Sequence, residues 1–196
     1  TVNSPPAITV QPVTQSVCQG SGVTFTVTAT GTGLSYQWRK NGTNIGGAIS
    51  SSYSILSTGA SDAANYDVVV SGTCAPAATS SVAALTVNPP PAITVQPVAS
   101  QSQCVGTPAT FTVTATGTGL SYQWRKNGTN IGGAISNSYT IASLAVSDAA
   151  TYDVVVSGTC TPAVTSSGSV LTVNSPPAIT VQPVTQSVCQ GSGVTF

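Results

Sequence analysis

Residues 34–50 read LSYQWRKNGTNIGGAIS, and the same letters return unchanged as residues 120–136, 86 positions later. In each copy the aromatic residues Tyr36 and Trp38, or Tyr122 and Trp124, alternate with polar residues and run into Asn-Gly. That dipeptide tolerates positive φ at both turn positions, so the stretch reads as a strand entering a hairpin. Upstream, Val23, Phe25, Val27 and Ala29 alternate with Thr24, Thr26, Thr28 and Thr30, the period of two of a half-buried strand. Downstream, Tyr53 and Ile55 predict one further strand. Asp62 punctuates a turn, Tyr66, Val68 and Val70 predict another strand, and Leu85 and Val87 the last. Every connection suits antiparallel pairing, and the fold class expected is all-β: a sandwich of antiparallel sheets, repeated in tandem.

The repeat extends well beyond this stretch. Tyr66 and Tyr152, and Cys74 and Cys160, keep the same offset, while Thr1–Phe25 is identical to Thr172–Phe196, so a larger unit of 171 residues holds two slightly different domains. The expected organisation is a first domain over residues 4–88, a second over 89–174, and the first strands of a third repeat over 175–196. The sequence stops at Phe196, the counterpart of mid-strand Phe25, and the parent chain is expected to continue. The boundaries fall at Asn88-Pro89-Pro90-Pro91 and Asn174-Ser175-Pro176-Pro177. Proline fixes φ and denies a ladder donor, so these linkers are short and stiff and predict a rod.

Composition narrows the function. Charged residues make up 4% of the chain and net charge is zero, leaving no basic patch for nucleic acid or anionic lipid and no acidic run for calcium. The chain has no His and no Glu, so the commonest general base and half of the carboxylate types are missing and no enzyme is expected. No apolar run approaches the ~20 residues of a membrane span. No cofactor or metal site is predicted.

A Trp eleven positions after the core residue Val27, followed by Asp62-Ala63-Ala64-Asn65-Tyr66, resembles the immunoglobulin fold with its tyrosine corner. The second copy repeats the pattern with Val113, Trp124, Asp148 and Tyr152. The resemblance implies a structural core of Val27, Trp38, Tyr66 and Val68 in one domain and Val113, Trp124, Tyr152 and Val154 in the other. The PPAITVQP openings, YQWRKNG hairpins and YDVVVSGTC tails are also similar to repeats of giant Bacteroidota surface proteins, including gliding adhesins exported by the type IX system. That resemblance implies an extracellular, bacterial cell-surface location. It also implies neighbouring repeats of the same array or filament as partners, and a surface or carbohydrate ligand at a tip outside this window.

In the familiar immunoglobulin fold a disulfide joins the strands that here carry Val27 and Val68, so the cysteines have moved. Cys18 precedes the Gly20 turn and Cys74 follows the Tyr66 strand, which puts them at opposite ends of one sandwich. About 25 Å separates the ends at ~3.3 Å per residue, whereas a disulfide needs Cα atoms within about 7 Å. The favoured bond is therefore between domains, Cys18 to Cys160, with Cys74 directed to a preceding repeat and Cys104 and Cys189 to following ones. Two other arrangements stay open on the sequence: a pair within one domain under a shifted register, and bonds between separate chains or free thiols.

Other motifs read as architecture. Asn41-Gly42-Thr43 and Asn127-Gly128-Thr129 match a glycosylation acceptor but are also what a tight hairpin requires. Arg39 with Asp67, and Arg125 with Asp153, are expected to pair across neighbouring strands on the surface. Trp38 and Trp124 occupy core positions and are not available as a carbohydrate platform, and Lys40 and Lys126 sit too exposed for an isopeptide bond. The functional expectation is a structural, force-bearing extracellular stalk of a repetitive surface adhesin. A filament of short subunits joined by strand complementation, and a spacer of a secreted carbohydrate-active enzyme, are the alternatives.

Overall fold

The computed structural model describes residues 2–195. Ten strands build the first sandwich: β1 Ala7–Val10, β2 Gln15–Cys18, β3 Val23–Thr26, β4 Thr28–Thr30, β5 Ser35–Lys40, β6 Thr43–Asn44, β7 Ser52–Ile55, β8 Ala64–Ser71, β9 Ala78–Thr79 and β10 Ala83–Asn88. Ten more repeat the plan: β11 Ala92–Val95, β12 Ser100–Cys104, β13 Ala109–Thr112, β14 Thr114–Thr116, β15 Ser121–Lys126, β16 Thr129–Asn130, β17 Ser138–Ile141, β18 Ala150–Ser157, β19 Val164–Thr165 and β20 Ser169–Asn174. One face of each sandwich is the five-strand path β2-β10-β8-β5-β6, or β12-β20-β18-β15-β16, with β9 or β19 added beside β8 or β18. The pairs β1-β4 and β3-β7, with their counterparts, form the other face. The result is two immunoglobulin-like sandwiches in tandem.

The alternation of apolar and Thr residues does what its period requires. Val23, Phe25 and Val27 turn inward and are buried, while Thr24, Thr26 and Thr28 stay exposed. Trp38 and Tyr66 are fully buried, and Phe25 stacks on Tyr66 with ring centroids 4.9 Å apart. Val27 and Val68 pack in that same core, where a cross-sheet disulfide would otherwise stand. Trp124, Tyr152, Val113 and Val154 repeat the arrangement. The Trp38 indole N–H donates to Ser50 O at 2.9 Å, so burying its polar edge leaves no donor unpaired. At Asn41-Gly42 both residues have positive φ, 50° and 79°, as a two-residue hairpin demands.

In the tyrosine corner, the Tyr66 hydroxyl donates to Asp62 O at 2.9 Å, and the Asp62 carboxylate accepts from Gly59 N–H at 2.9 Å. On the sheet surface Arg39 grips Asp67 through two bonds of 2.7 Å. Arg125 and Asp153 do the same at 2.7 and 2.8 Å. Both pairs are partly exposed, so their worth is of order 1 kcal/mol or less.

One expectation needs correction. The pairing is not wholly antiparallel: β2 runs parallel to β10 and β12 parallel to β20. The first strand splits at Gln11-Pro12 and Gln96-Pro97, where proline interrupts the ladder; its first half joins one sheet and its second half crosses to the other. Residues 175–195, expected to form the first strands of a third repeat, carry no strand. The counterparts of their pairing partners, Thr28–Thr30 and Leu85–Asn88, lie 171 positions on, past residue 196. Local structure forms there nonetheless. Ser192 N–H donates to Cys189 O at 3.1 Å, as Ser21 N–H does to Cys18 O at 3.0 Å.

Two predictions follow from the packing. Ser169 Oγ is the buried side-chain polar atom left without a partner among the described residues, and its counterpart in the first domain is the equally buried Ala83. Ser169→Ala removes an unpaid desolvation and should raise stability by about 1 kcal/mol in urea unfolding; an unchanged or lower midpoint would count against this. Burial, reinforced by the Asp62 and Asp148 carboxylates, pushes the Tyr66 and Tyr152 phenols up to about 12. A raised phenol contributes stability that is complete below the unfolded value of about 10 and is lost as pH rises through the folded one. The melting temperature should therefore fall between about pH 10 and 12, and replacing both tyrosines with Phe should flatten that fall.

Candidate functional site: the stapled joint between domains

The place where the two sandwiches meet is built from the end of β2, the end of β10, the proline linker and the loop between β18 and β19. Because β2 and β10 are parallel, Cys18 lies directly beside Asn88, the last residue of the first sandwich. Gln19 N–H donates to Asn88 O at 2.9 Å, and Asn88 Nδ2 donates to Ser16 Oγ at 2.8 Å. The outgoing chain is thus tied to the strand that carries Cys18 before the linker begins.

Pro90 and Pro91 pack against the second sandwich. A Cβ on Gly117 would stand 2.9 Å from Pro91 Cα and 3.2 Å from Pro90 O. One on Gly158 would stand 2.9 Å from Thr118 O and 3.4 Å from Pro91 Cδ. Gly117, at φ +142°, needs glycine because the linker backbone lies against it, and Gly158 because the Thr118 carbonyl does. Thr159 N–H donates to Thr118 O at 2.8 Å and closes the loop over the prolines. The next residue, Cys160, is buried, and its sulfur is bonded to that of Cys18. The Cα atoms are 5.6 Å apart and the two residues 142 apart in sequence. Cys160 Sγ also packs 3.5 Å from Asn88 O; an oxidised sulfur carries no proton, so this is a contact and not a hydrogen bond.

Cys74, Cys104 and Cys189 carry free thiols. Two of them sit at positions that each match one side of the same joint. Cys104 lies beside Asn174 in the parallel β12–β20 pair, with Val105 N–H donating to Asn174 O at 3.0 Å and Asn174 Nδ2 to Ser102 Oγ at 2.9 Å. At the other end of the chain Cys74 follows Thr73, whose N–H donates to Thr32 O at 2.9 Å. There Gly31 and Gly72 meet Pro5 and Pro6 as Gly117 and Gly158 meet Pro90 and Pro91. Cys189 is exposed in the strandless segment. Asn88 is legible in the sequence only as a domain boundary, and Ser16 and the glycines carry one signal there, recurrence as Ser102 and the same loop positions of the other copy.

Chemically the joint offers cross-linking and rigidity. Among the described residues no three His, Cys, Asp or Glu side chains cluster as a metal site would require. No helix is long and apolar enough to cross a membrane.

A family model described as "Immunoglobulin domain" matches residues 5–71. No curated protein sequence matches the chain. Among solved structures, it is similar to a three-domain titin fragment, I67–I69, at TM-score 0.78 and 20% identity over 91% of this chain and 69% of that one. It is also similar to immunoglobulin domains 1–4 of Sidekick-1, at TM-score 0.68 and 20% identity over 88% and 49%. For extracellular domains 3–5 of Drosophila OTK the TM-score is 0.57, with 15% identity over 86% and 62%. At these identities the likeness establishes the tandem immunoglobulin-like fold.

Opening the joint tests its part in stability. Cys18→Ser should lower the denaturant resistance of the oxidised chain by roughly 2–4 kcal/mol, while Cys74→Ser should leave it unchanged. Equal midpoints for Cys18→Ser and the parent would mean that the bond restrains neither domain.

Proposed function

We propose that this chain is a force-bearing segment of an extracellular stalk, built from tandem immunoglobulin-like domains and stapled at every joint. The observation that carries the reading is the Cys18–Cys160 bond across a linker whose prolines are already packed on the following domain. A flexible connector needs none of this, whereas a rod that must transmit tension and resist bending needs all of it. Structural disulfides persist in oxidising compartments, which supports a site outside the cytoplasm. In this reading Cys104 bonds to the loop cysteine of a following domain, Cys74 to a cysteine of a preceding one, and Cys189 repeats the part of Cys18 one unit later. The adhesin of a bacterial surface, with its ligand-binding tip elsewhere, is the member of this class that the sequence resemblance favours.

One feature favours the filament of short subunits as a second reading. Residues 175–195 repeat the letters that form β1 and β2 in the first domain, and in the filament this segment completes a neighbour's sandwich by strand addition. A denaturing gel of the native polypeptide separates the two. The stalk requires a band far larger than this 19.4 kDa chain that survives reductant, with Cys74 and Cys104 both recovered in disulfide-linked peptides. Small bands in either lane would sink it and support subunits.

A further inference from the structure

Disulfide connectivity, combined with the parallel pairing at each domain's edge, decides which parts of the chain tension can reach. Force applied to the two ends follows the shortest covalent path. In this chain that path runs from the amino end along β1 and β2 to Cys18, crosses the bond to Cys160, and leaves through β19 and β20. Everything between Cys18 and Cys160 lies off it. That bypassed stretch holds β3–β10 of the first domain and β11–β18 of the second, including Trp38, Tyr66, Trp124 and Tyr152.

We propose that the staple is a tension bypass: it confines load to two strands of each domain, β1 and β2 in the first and β19 and β20 in the second, and shields the rest of each sandwich from mechanical unfolding. The parallel register makes this work. Within the second domain, Pro89 to Cys104 and Cys160 to Asn174 both run from the incoming joint to the outgoing one, lying side by side as Ser100–Cys104 against Val170–Asn174. Where Cys104 is also bonded onward, which rests on the stalk reading above, these two segments become the rails of a covalent ladder. Each rail then pulls taut at about 50–55 Å, against about 300 Å for an unravelled 86-residue repeat, at ~3.5 Å per residue. Residues 105–159 hang between the rails as an untensioned loop. A stapled array would hardly lengthen under loads that unfold its domains one by one once reduced.

Pulling the full chain between handles fixed at its two ends tests this. The oxidised chain should release no domain-length step, its total gain staying below about 20 nm, since only the segments outside the staple can straighten at ~3.6 Å per residue. The same chain in a phosphine reductant, and Cys18→Ala under oxidising conditions, should each give two steps of about 25 nm. Domain-length steps from oxidised molecules overturn the bypass, as does a Cys18→Ala chain that still gives none. The readout does not depend on the length or location of the native polypeptide. A stalk excluded by the gel would leave the bypass standing in this chain, and a failed bypass would leave the stalk reading to the gel.

Discussion

The parallel pairing of β2 with β10 is the constraint on which the joint depends. An antiparallel edge would bring the end of one strand beside the start of the other. A parallel edge brings both ends to the same place, so Cys18 and the departing Asn88 reach the bottom of the domain together. Once they do, any residue at the top of the following domain that lies near the linker is also near Cys18. The loop bearing Cys160 lies there because Gly117 lets the prolines pack against the sheet end and Gly158 lets the loop close onto the Thr118 carbonyl. Parallel edge, glycine-lined top and proline linker form one device, and the disulfide closes it.

The core does without the fold's usual cross-sheet bond. With Val27 and Val68 buried between the sheets, each sandwich is held by apolar packing around Trp38 and Tyr66, or Trp124 and Tyr152. Burying such side chains contributes about 1.5–3 kcal/mol each for the aliphatic ones and more for the aromatics. A cross-sheet bond would strengthen one domain. Moved to the joint, the same covalent link constrains two.

Strand identity and the core were legible in the sequence because period-two alternation and the Asn-Gly turn are local signals. Trp38, Tyr66 and their counterparts stand out for the same reason, being large apolar residues at inward positions of strongly alternating segments. The crossing of the first strand between sheets was not legible. Ala7–Val10 and Gln15–Cys18 are short, contain no fully buried residue and alternate weakly, and their pairing is settled by contacts about twenty residues away for β1 and seventy for β2. The distance between Cys18 and Cys74 could be estimated from strand rise alone. The joint's supporting polar groups, Asn88 with Ser16 and Asn174 with Ser102, could not, because no period marks them.

The staple also changes how the two domains unfold relative to each other. In a plain tandem, each sandwich is its own cooperative unit, and a stiff linker couples them weakly. Here the bond closes a loop spanning 142 residues that takes in most of both domains. If one sandwich melts while the other stays folded, the molten chain remains anchored at both ends: at Cys18 and Asn88 for the first, and at the proline linker and Cys160 for the second. A chain pinned at two nearby points loses conformational entropy relative to a free one, and the loss grows only slowly with loop length. Opening either domain alone therefore yields less entropy than opening it in the reduced molecule, and refolding starts with the ends of the melted segment already in register. Since domains of this size are stable by only about 5–15 kcal/mol, a penalty of a few kcal/mol on each local opening is a substantial fraction of the whole. A repeat that carries little charge and therefore few surface ion pairs gains, at its joints, stability that its surface electrostatics cannot supply.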